Sequence, residues 1–235
     1  LDCGSTQIQC LVDLVKSQKL DCGFAFDGDA DRCIAVDNHG KVVDGDAILY
    51  ICGKEMKAND ALPGNTVVTT IMSNFGLYKA FERADIQYAK TPVGDKNVSA
   101  EMFEHGYALG GEQSGHIIFS KYATTGDGVL TALRLAEIVV ENKTDLASLH
   151  QDLIHYPQVL RNLLVEDKEE ALANERVQRA IAEANRVLGE EGRSVVRASG
   201  TEPLIRVMVE HLDSDLCEEM AEHIVQAFRD EGFTA

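Results

Sequence analysis

Thr66-Val67-Val68-Thr69-Thr70-Ile71-Met72-Ser73-Asn74-Phe75-Gly76-Leu77-Tyr78-Lys79-Ala80-Phe81-Glu82-Arg83 is the stretch on which the fold class turns. Its first five residues are β-branched throughout, which suits a strand. Phe75 to Arg83 reads as a helix. Further on, Ile86 to Ala89 reads as extended and Lys96 to His105 as helical. Ala108 to Leu109 and Ile117 to Phe119 then flank a glycine-rich loop. Asp127 is a capping residue for a helix from about Val129 to Asn142, with Leu130, Leu133, Ala136 and Val140 along its apolar stripe. The β–α alternation from Asn65 to Asn142 predicts an α/β unit on a parallel or mixed sheet.

Upstream, Cys22 to Phe26 and Cys33 to Asp37 read as short strands around a polar loop, and Asn38-His39-Gly40-Lys41 as a turn. Asp46 opens a helical stretch to about Asn59, and Pro63-Gly64 breaks it. The first ~45 residues read as the end of another unit. Downstream, a boundary falls around His155-Tyr156-Pro157. A long charged helix from about Glu169 to Leu188 follows, then strands over Arg193–Ala198 and Ile205–Glu210, then a helix from about Ser214 to Arg229. This tail is a separate α+β module. The expected domains are therefore 1–45, 46–155 and 156–235.

The composition, 45% hydrophobic and 26% charged over 235 residues, excludes a disordered tail, a collagen-like repeat or a coiled-coil rod. No apolar run approaches the ~18 residues that span a bilayer. Leu1-Asp2-Cys3-Gly4 lacks the basic and apolar regions of a signal peptide. The absence of an initiator Met suggests a fragment or a processed product. A net charge of −17 argues against nucleic acid and anionic membranes as partners. It also makes each local cluster of Arg or Lys informative. Cys3, Cys10, Cys22, Cys33, Cys52 and Cys217 are scattered without a CxxC pair, so they read as buried, reduced thiols of a cytoplasmic protein rather than a zinc site.

Chemistry concentrates in three loops. In Asp27-Gly28-Asp29-Ala30-Asp31-Arg32, three alternating carboxylates present oxygen ligands to a hard divalent cation such as Mg²⁺. An EF-hand is excluded, because Arg32 stands where that loop needs Gly and Asn38 where it needs Glu. In Gly110-Gly111-Glu112-Gln113-Ser114-Gly115-His116, the residues Glu112, Ser114 and His116 alternate, and in an extended loop they point the same way. Their groups suit a sugar's hydroxyl or amino substituents, and His116 is able to exchange a proton near neutral pH. In Arg197-Ala198-Ser199-Gly200-Thr201-Glu202-Pro203-Leu204-Ile205-Arg206, hydroxyls, backbone N–H groups and two guanidinium groups are placed to ring a phosphate. No Gly-Lys-Ser/Thr follows, so a phosphate ester is expected rather than a nucleotide.

Together these loops resemble the α-D-phosphohexomutase superfamily. The Gln113 form of the second loop and the Ser-Gly-Thr-Glu-Pro form of the third favour its bacterial phosphoglucosamine mutase branch over the phosphomannomutase and phosphoglucomutase branches. The resemblance implies the end of one mixed α/β domain, one complete α/β domain of the phosphohexomutase type, and a C-terminal α+β (TBP-like) phosphate-binding domain. It implies Mg²⁺ ligation by Asp27, Asp29 and Asp31, with Arg32 near a phosphoserine. It implies sugar binding by Glu112 and Ser114, with His116 in proton transfer. It implies phosphate binding by Arg197, Ser199, Gly200, Thr201 and Arg206. Thr91-Pro92-Val93-Gly94-Asp95-Lys96 is similar to a further family segment whose basic residue, here Lys96, faces the substrate.

The implied reaction interconverts glucosamine 6-phosphate and glucosamine 1-phosphate through a phosphoserine and a bisphosphorylated sugar, for UDP-N-acetylglucosamine and peptidoglycan precursors. The resemblance allows a homodimer of the intact enzyme. Family members are roughly twice as long and carry the serine in a Thr-Ala-Ser-His-Asn-Pro-like loop. That loop is absent from this sequence, and Ser5, Ser73, Ser99 and Ser120 have other contexts. The expectation is the C-terminal half of a mutase, inactive alone. Two readings stand beside it: a non-catalytic sugar-phosphate-binding module, and a metal-dependent phosphatase with Asp27 as nucleophile.

Overall fold

The apolar runs on either side of Asp27 and Arg32 pair as an antiparallel hairpin, β1 (Cys22–Phe26) and β2 (Cys33–Asp37). The acidic loop is therefore the hairpin's connection. The computed structural model describes residues 4–200 and 202–234, so Cys3 and Thr201 lie outside the described residues. The chain divides into two compact units, Leu1–Ile154 and His155–Ala235.

In the first unit, β3 (Val42–Val43) pairs antiparallel with β2, and α1 (Gln9–Gln18) lays Val12 and Val15 against Val36. The sequence reading did not include α1. Its N-cap, Ile8, offers no capping side chain, so the usual start signal is missing. Next come α2 (Gly45–Ala58), β4 (Thr66–Thr70), α3 (Phe75–Arg83), β5 (Gln87–Thr91), α4 (Asp95–His105), β6 (Leu109–Gly111) and β7 (Ile117–Phe119). The sheet order is β5-β4-β6-β7, with β4 parallel to β5 and β6 and with β7 antiparallel to β6. β4 is buried along its whole length, which explains its run of β-branched residues without polar alternation. Ile48, Leu49, Leu77, Phe81, Leu109 and Leu135 meet in the core between this sheet and its helices.

Two further helices, α5 (Gly128–Glu141) and α6 (Leu146–Leu149), complete the unit. The expected stripe on α5 is corrected here. Its buried face is Thr131, Ala132, Leu135 and Ile138, whereas Leu133 is 63% and Val140 73% exposed. The helix is apolar around most of its circumference, so periodicity does not choose a face. Thr131 tolerates burial because its hydroxyl donates to Asp127 O at 2.7 Å.

The second unit contains β8 (Gln158–Leu164), α7 (Lys168–Ala173), α8 (Glu175–Leu188), β9 (Gly192–Ala198), β10 (Leu204–His211) and α9 (Ser214–Asp230). Its sheet is antiparallel with order β8-β10-β9. Val159, Leu163, Ile205, Val207 and Val209 meet Val177, Leu188, Ile224 and Phe228 in the core. β8 was not expected. Its inward positions are Val159 and Leu163, and the intervening Arg161 and Asn162 weaken the strand signal. The single charged helix expected over Glu169–Leu188 is two helices. Asn174 is extended (φ −64°, ψ 129°) and its side chain accepts from Arg176 N and Val177 N, so it ends one helix and caps the next.

The described cysteines are free. Cys33, Cys52 and Cys217 are buried, and burial pushes the thiols of Cys33 and Cys52 up to about 12. Cys10 is exposed, against the expectation of uniform burial. No helix among the described residues is long and apolar enough to cross a membrane.

Candidate functional site

The β1–β2 loop curls tightly. Ala30 sits at φ 59°, and its N–H donates to Asp27 O at 3.2 Å. Oxygen atoms of Asp27, Asp29 and Asp31 lie within 4.8 Å of one another. Asp27 Oδ1 accepts from Arg32 N at 3.2 Å, and Arg32 Nε lies 3.5 Å from Asp27 Oδ2 and 3.8 Å from Asp31 Oδ1. Desolvation works to raise both Asp27 and Asp31. The Arg32 N–H and a shared hydrogen bond nevertheless bring Asp27 below the ordinary carboxylate value, while that same shared bond adds to the rise of Asp31. Two carboxylates competing for one proton are what a divalent cation relieves. Three hard oxygen donors from one turn fit Mg²⁺.

The glycine-rich loop joins β6 to β7 and grips this hairpin. Cys33 N donates to Gly115 O at 3.0 Å, and the first residue of α5, Gly128, donates its N–H to Ala30 O at 2.9 Å. His116 is 4% exposed and fixed at both ring nitrogens. Gly126 N–H donates to Nε2 at 3.0 Å, so Nε2 carries no proton. Nδ1 therefore carries it and donates to Asp31 Oδ2 at 3.0 Å. This arrangement aims the Asp31 carboxylate and leaves neither ring nitrogen of His116 open to a substrate.

The extended geometry expected for Glu112, Ser114 and His116 is not what forms. Gly115 N donates to Glu112 O and Glu112 N to His116 O, at 3.0 and 3.1 Å, which closes a turn. The three side chains part company. Glu112 Oε1 accepts from Gly94 N at 3.0 Å, tying the loop to the Thr91–Lys96 segment. Ser114 is exposed, and His116 points into the interior. Gln113 Nε2 donates to Asp44 Oδ2 at 3.3 Å, while Asp44 Oδ1 caps α2 at Ala47 N. Gly45 N donates to Gln113 O at 3.0 Å, and a Cβ on Gly45 would stand 2.0 Å from Glu112 O. Lys96, in the first turn of α4, is exposed. With Ser99, Phe103 and Tyr107 it lines a cavity of about 550 Å³.

In the second unit, Arg197 on β9 and Arg206 on β10 are directly opposed in register, as are Arg206 and Asn162 on β8. Directly opposed residues share a face, so Asn162, Arg206 and Arg197 form one row. Arg206 pairs with Glu202 at 2.9 Å. Among the described residues Arg197 forms no ion pair, and the Nε atoms of both arginines are buried without a hydrogen-bond partner. Burial, and then the charge of Arg206, pushes the Arg197 guanidinium below its ordinary value. Like charges opposed across a ladder destabilise it unless an anion lies between them. The turn beyond β9 is held by Ser199 N donating to Leu204 O at 2.8 Å and Glu202 N to Ser199 Oγ at 3.3 Å.

Sequence reasoning missed Asp44, Gly45, Gly126, Asn162 and Lys168. Only Asp44, a capping residue before an apolar helix, carried a local signal.

The family model "Phosphoglucomutase/phosphomannomutase, alpha/beta/alpha domain II" matches residues 5–40, "domain III" of the same series 44–156, and "C-terminal domain" 160–227. The chain belongs to this family, the α-D-phosphohexomutases. It is 53% identical over 232 residues to the phosphoglucosamine mutase of Lachnospira eligens, covering 99% of this chain and 52% of that protein. It is 54% identical over 231 residues to the phosphoglucosamine mutase of Lachnoclostridium phytofermentans, covering 98% and 52%. The chain thus spans about half the length of the curated relatives it matches. Among solved structures, a phosphoglucomutase/phosphomannomutase family protein of Burkholderia thailandensis shares the fold at TM-score 0.79 and 22% identity, covering 98% of this chain and 51% of that one. So does Aspergillus fumigatus N-acetylphosphoglucosamine mutase in complex with GlcNAc-6P and magnesium, at TM-score 0.75 and 20% identity, covering 99% and 53%.

Proposed function

We propose that this chain carries the metal-binding, sugar-binding and phosphate-binding parts of a phosphoglucosamine mutase, which interconverts glucosamine 6-phosphate and glucosamine 1-phosphate. The observation that carries the reading is the His116–Asp31 hydrogen bond. It joins the glycine-rich loop to the acidic loop across 85 residues of sequence. The identity to curated phosphoglucosamine mutases supports the choice of branch.

In this reading Asp27, Asp29 and Asp31 hold Mg²⁺, which, when bound, neutralises charge on a transferring phosphoryl group. Arg32 stands beside those carboxylates as a cation for the same phosphoryl oxygens. His116 keeps the proton on Nδ1 and fixes the direction of Asp31, so its role is positioning. Glu112, with one carboxylate oxygen held by Gly94 N–H, offers the other to a sugar hydroxyl or amine. Ser114, exposed at the tip of the loop, adds a hydroxyl. Lys96 is a cation for the substrate from the first turn of α4. Arg197 and Arg206, with Ser199, Gly200 and Thr201, hold the phosphate that does not react. The domain assignment 1–45, 46–155 and 156–235 belongs to the same proposal. So does a cytoplasmic setting, which the free thiols support.

The reaction also needs a group that stores a phosphoryl between half-reactions, and none of the residues placed here does so. The test has two parts. Calorimetry on this chain should show glucosamine 6-phosphate binding that Arg197→Ala weakens. A coupled assay with Mg²⁺ and glucose 1,6-bisphosphate should show no turnover. Turnover comparable to an intact mutase would place the carrier among these 235 residues and overturn the assignment of roles.

A further inference from the structure

Lys168, in the first turn of α7, reaches behind the phosphate-type loop. Its Nζ donates to Ser199 O at 2.7 Å and to Glu202 O at 3.0 Å. These two carbonyls are the shoulders of the turn that separates β9 from β10. In a trans peptide the carbonyl of one residue and the N–H of the next point in opposite directions. Holding Ser199 O therefore turns the Gly200 N–H away from the ammonium, toward the opposite side of the loop. Glu202 O is followed by Pro203, which has no N–H, so that clamp spends an acceptor without directing a donor. The Ser199 hydroxyl already accepts Glu202 N–H. Glu202 in turn pairs with Arg206. One ammonium thus fixes the Gly200 donor directly and holds the backbone of Glu202, whose carboxylate pairs with Arg206.

We propose that Lys168 is the positioning residue of the phosphate site: it touches no substrate and presents Gly200 N–H and Arg206 to the anion. This rests on the phosphate reading given above. Nothing in the sequence around Lys168 announces it, because the contact spans 31 residues to Ser199 and 34 to Glu202. A substitution that removes the ammonium should leave the strands paired and Arg197 in place. The loop between them would lose its fixed donor. An oriented hydrogen bond of this kind is worth about tenfold in affinity at the upper end.

The experiment uses the whole chain, titrated with glucosamine 6-phosphate and separately with inorganic phosphate. Affinity is read by calorimetry and the Gly200 amide by proton–nitrogen NMR. Lys168→Met should weaken binding about tenfold and shift the free-state Gly200 amide. Lys168→Arg, which keeps a charged donor, should stay within roughly threefold of the parent chain. Wild-type affinity and an unchanged Gly200 response in Lys168→Met, with binding lost in Arg197→Ala, would overturn the role of Lys168 alone. Equal loss in Met and Arg variants would overturn it too. A parent chain in which neither ligand moves Gly200 would overturn the phosphate reading itself, and this proposal with it.

Discussion

The two candidate sites are built on opposite principles. In the first unit the acidic and glycine-rich loops are held by backbone bonds, Cys33 to Gly115 between the hairpin and the glycine-rich loop and Ala30 to Gly128 and Gln113 to Gly45 onto the starts of α5 and α2, and by the His116 side chain on Gly126 and Asp31. Side chains are excluded where these loops touch. A Cβ on Gly115 would lie 2.3 Å from Cys33 O, and Gly115 also sits at φ +92°. In the second unit a Cβ on Gly200 would meet nothing within 4 Å, and two arginines oppose each other with, among the described residues, an ion pair at Arg206 alone. The first site is held by hydrogen bonds and close packing within its unit. The second is electrostatically strained, with a lysine as its brace. On the roles proposed above, a site that holds a cation among three carboxylates needs fixed geometry, and one that captures a phosphate ester needs unspent positive charge.

The sharpest way to break this comparison is the glycine pair. Gly115→Ala forces a side chain into a left-handed backbone against a carbonyl, so the first unit should lose ~3 kcal/mol. That is about 6–12 °C in its melting transition, with the second unit unmoved. Gly200→Ala should leave both transitions in place. Similar losses in calorimetry for the two variants would erase the contrast.

Next in size is the charge contrast. Arg197→Ala should weaken glucosamine 6-phosphate by roughly 10–150-fold, the worth of ~1.5–3 kcal/mol for a charge-assisted contact. The second unit should melt no lower than before, because a like-charge pair is removed. A variant that binds normally by calorimetry would deny Arg197 its role.

The brace in the first unit can be probed without touching a metal ligand. His116→Ala removes the donor that orients Asp31, and Mg²⁺ affinity should fall about 10–100-fold. Titration of the chain with Mg²⁺ reads this directly. Unchanged affinity would mean that Asp31 needs no support.

The smallest expected effect concerns pH. His150 is buried and its Nε2 lies 3.2 Å from Asp37 Oδ2, whose other oxygen accepts His39 N and Lys41 N at 2.9 Å each. Burial, then the nearby Lys41 charge, lowers the His150 pKa from its ordinary 6.5. Below that ordinary value the unfolded chain takes a proton that the folded chain refuses. This contribution to stability is therefore present above 6.5 and lost as the pH falls below it. Melting of the first unit between pH 7.5 and 5 should show this slope, and His150→Gln should flatten it. Parallel slopes in the two proteins would remove His150 as the cause.

Much of this was legible in the chain itself. β1, β2, β4, β7 and α3 fall on the runs read for them, because β-branched and apolar runs bounded by turn residues carry their own signal. The three chemical loops and the family they indicate also came from local residue order. The helix break at Asn174 and the strand β8 did not. The first depends on a side chain choosing to cap rather than continue, and the second on an edge strand whose inward positions are only Val159 and Leu163.

Tertiary structure alone decided which loops brace one another. The sequence determined that Asp27, Asp29 and Asp31 alternate and that Arg197 and Arg206 flank a turn, since spacing along a chain is written in it. It did not determine that His116 meets Asp31 through Nδ1, that Gly45 must lack a side chain beneath Glu112, that α5 buries Leu135 rather than Leu133, or that Lys168 reaches Ser199. Those are contacts between segments tens of residues apart. Hydrophobic periodicity and capping act within a few turns, whereas such pairings are selected only when strands fix their register and the helices pack against them.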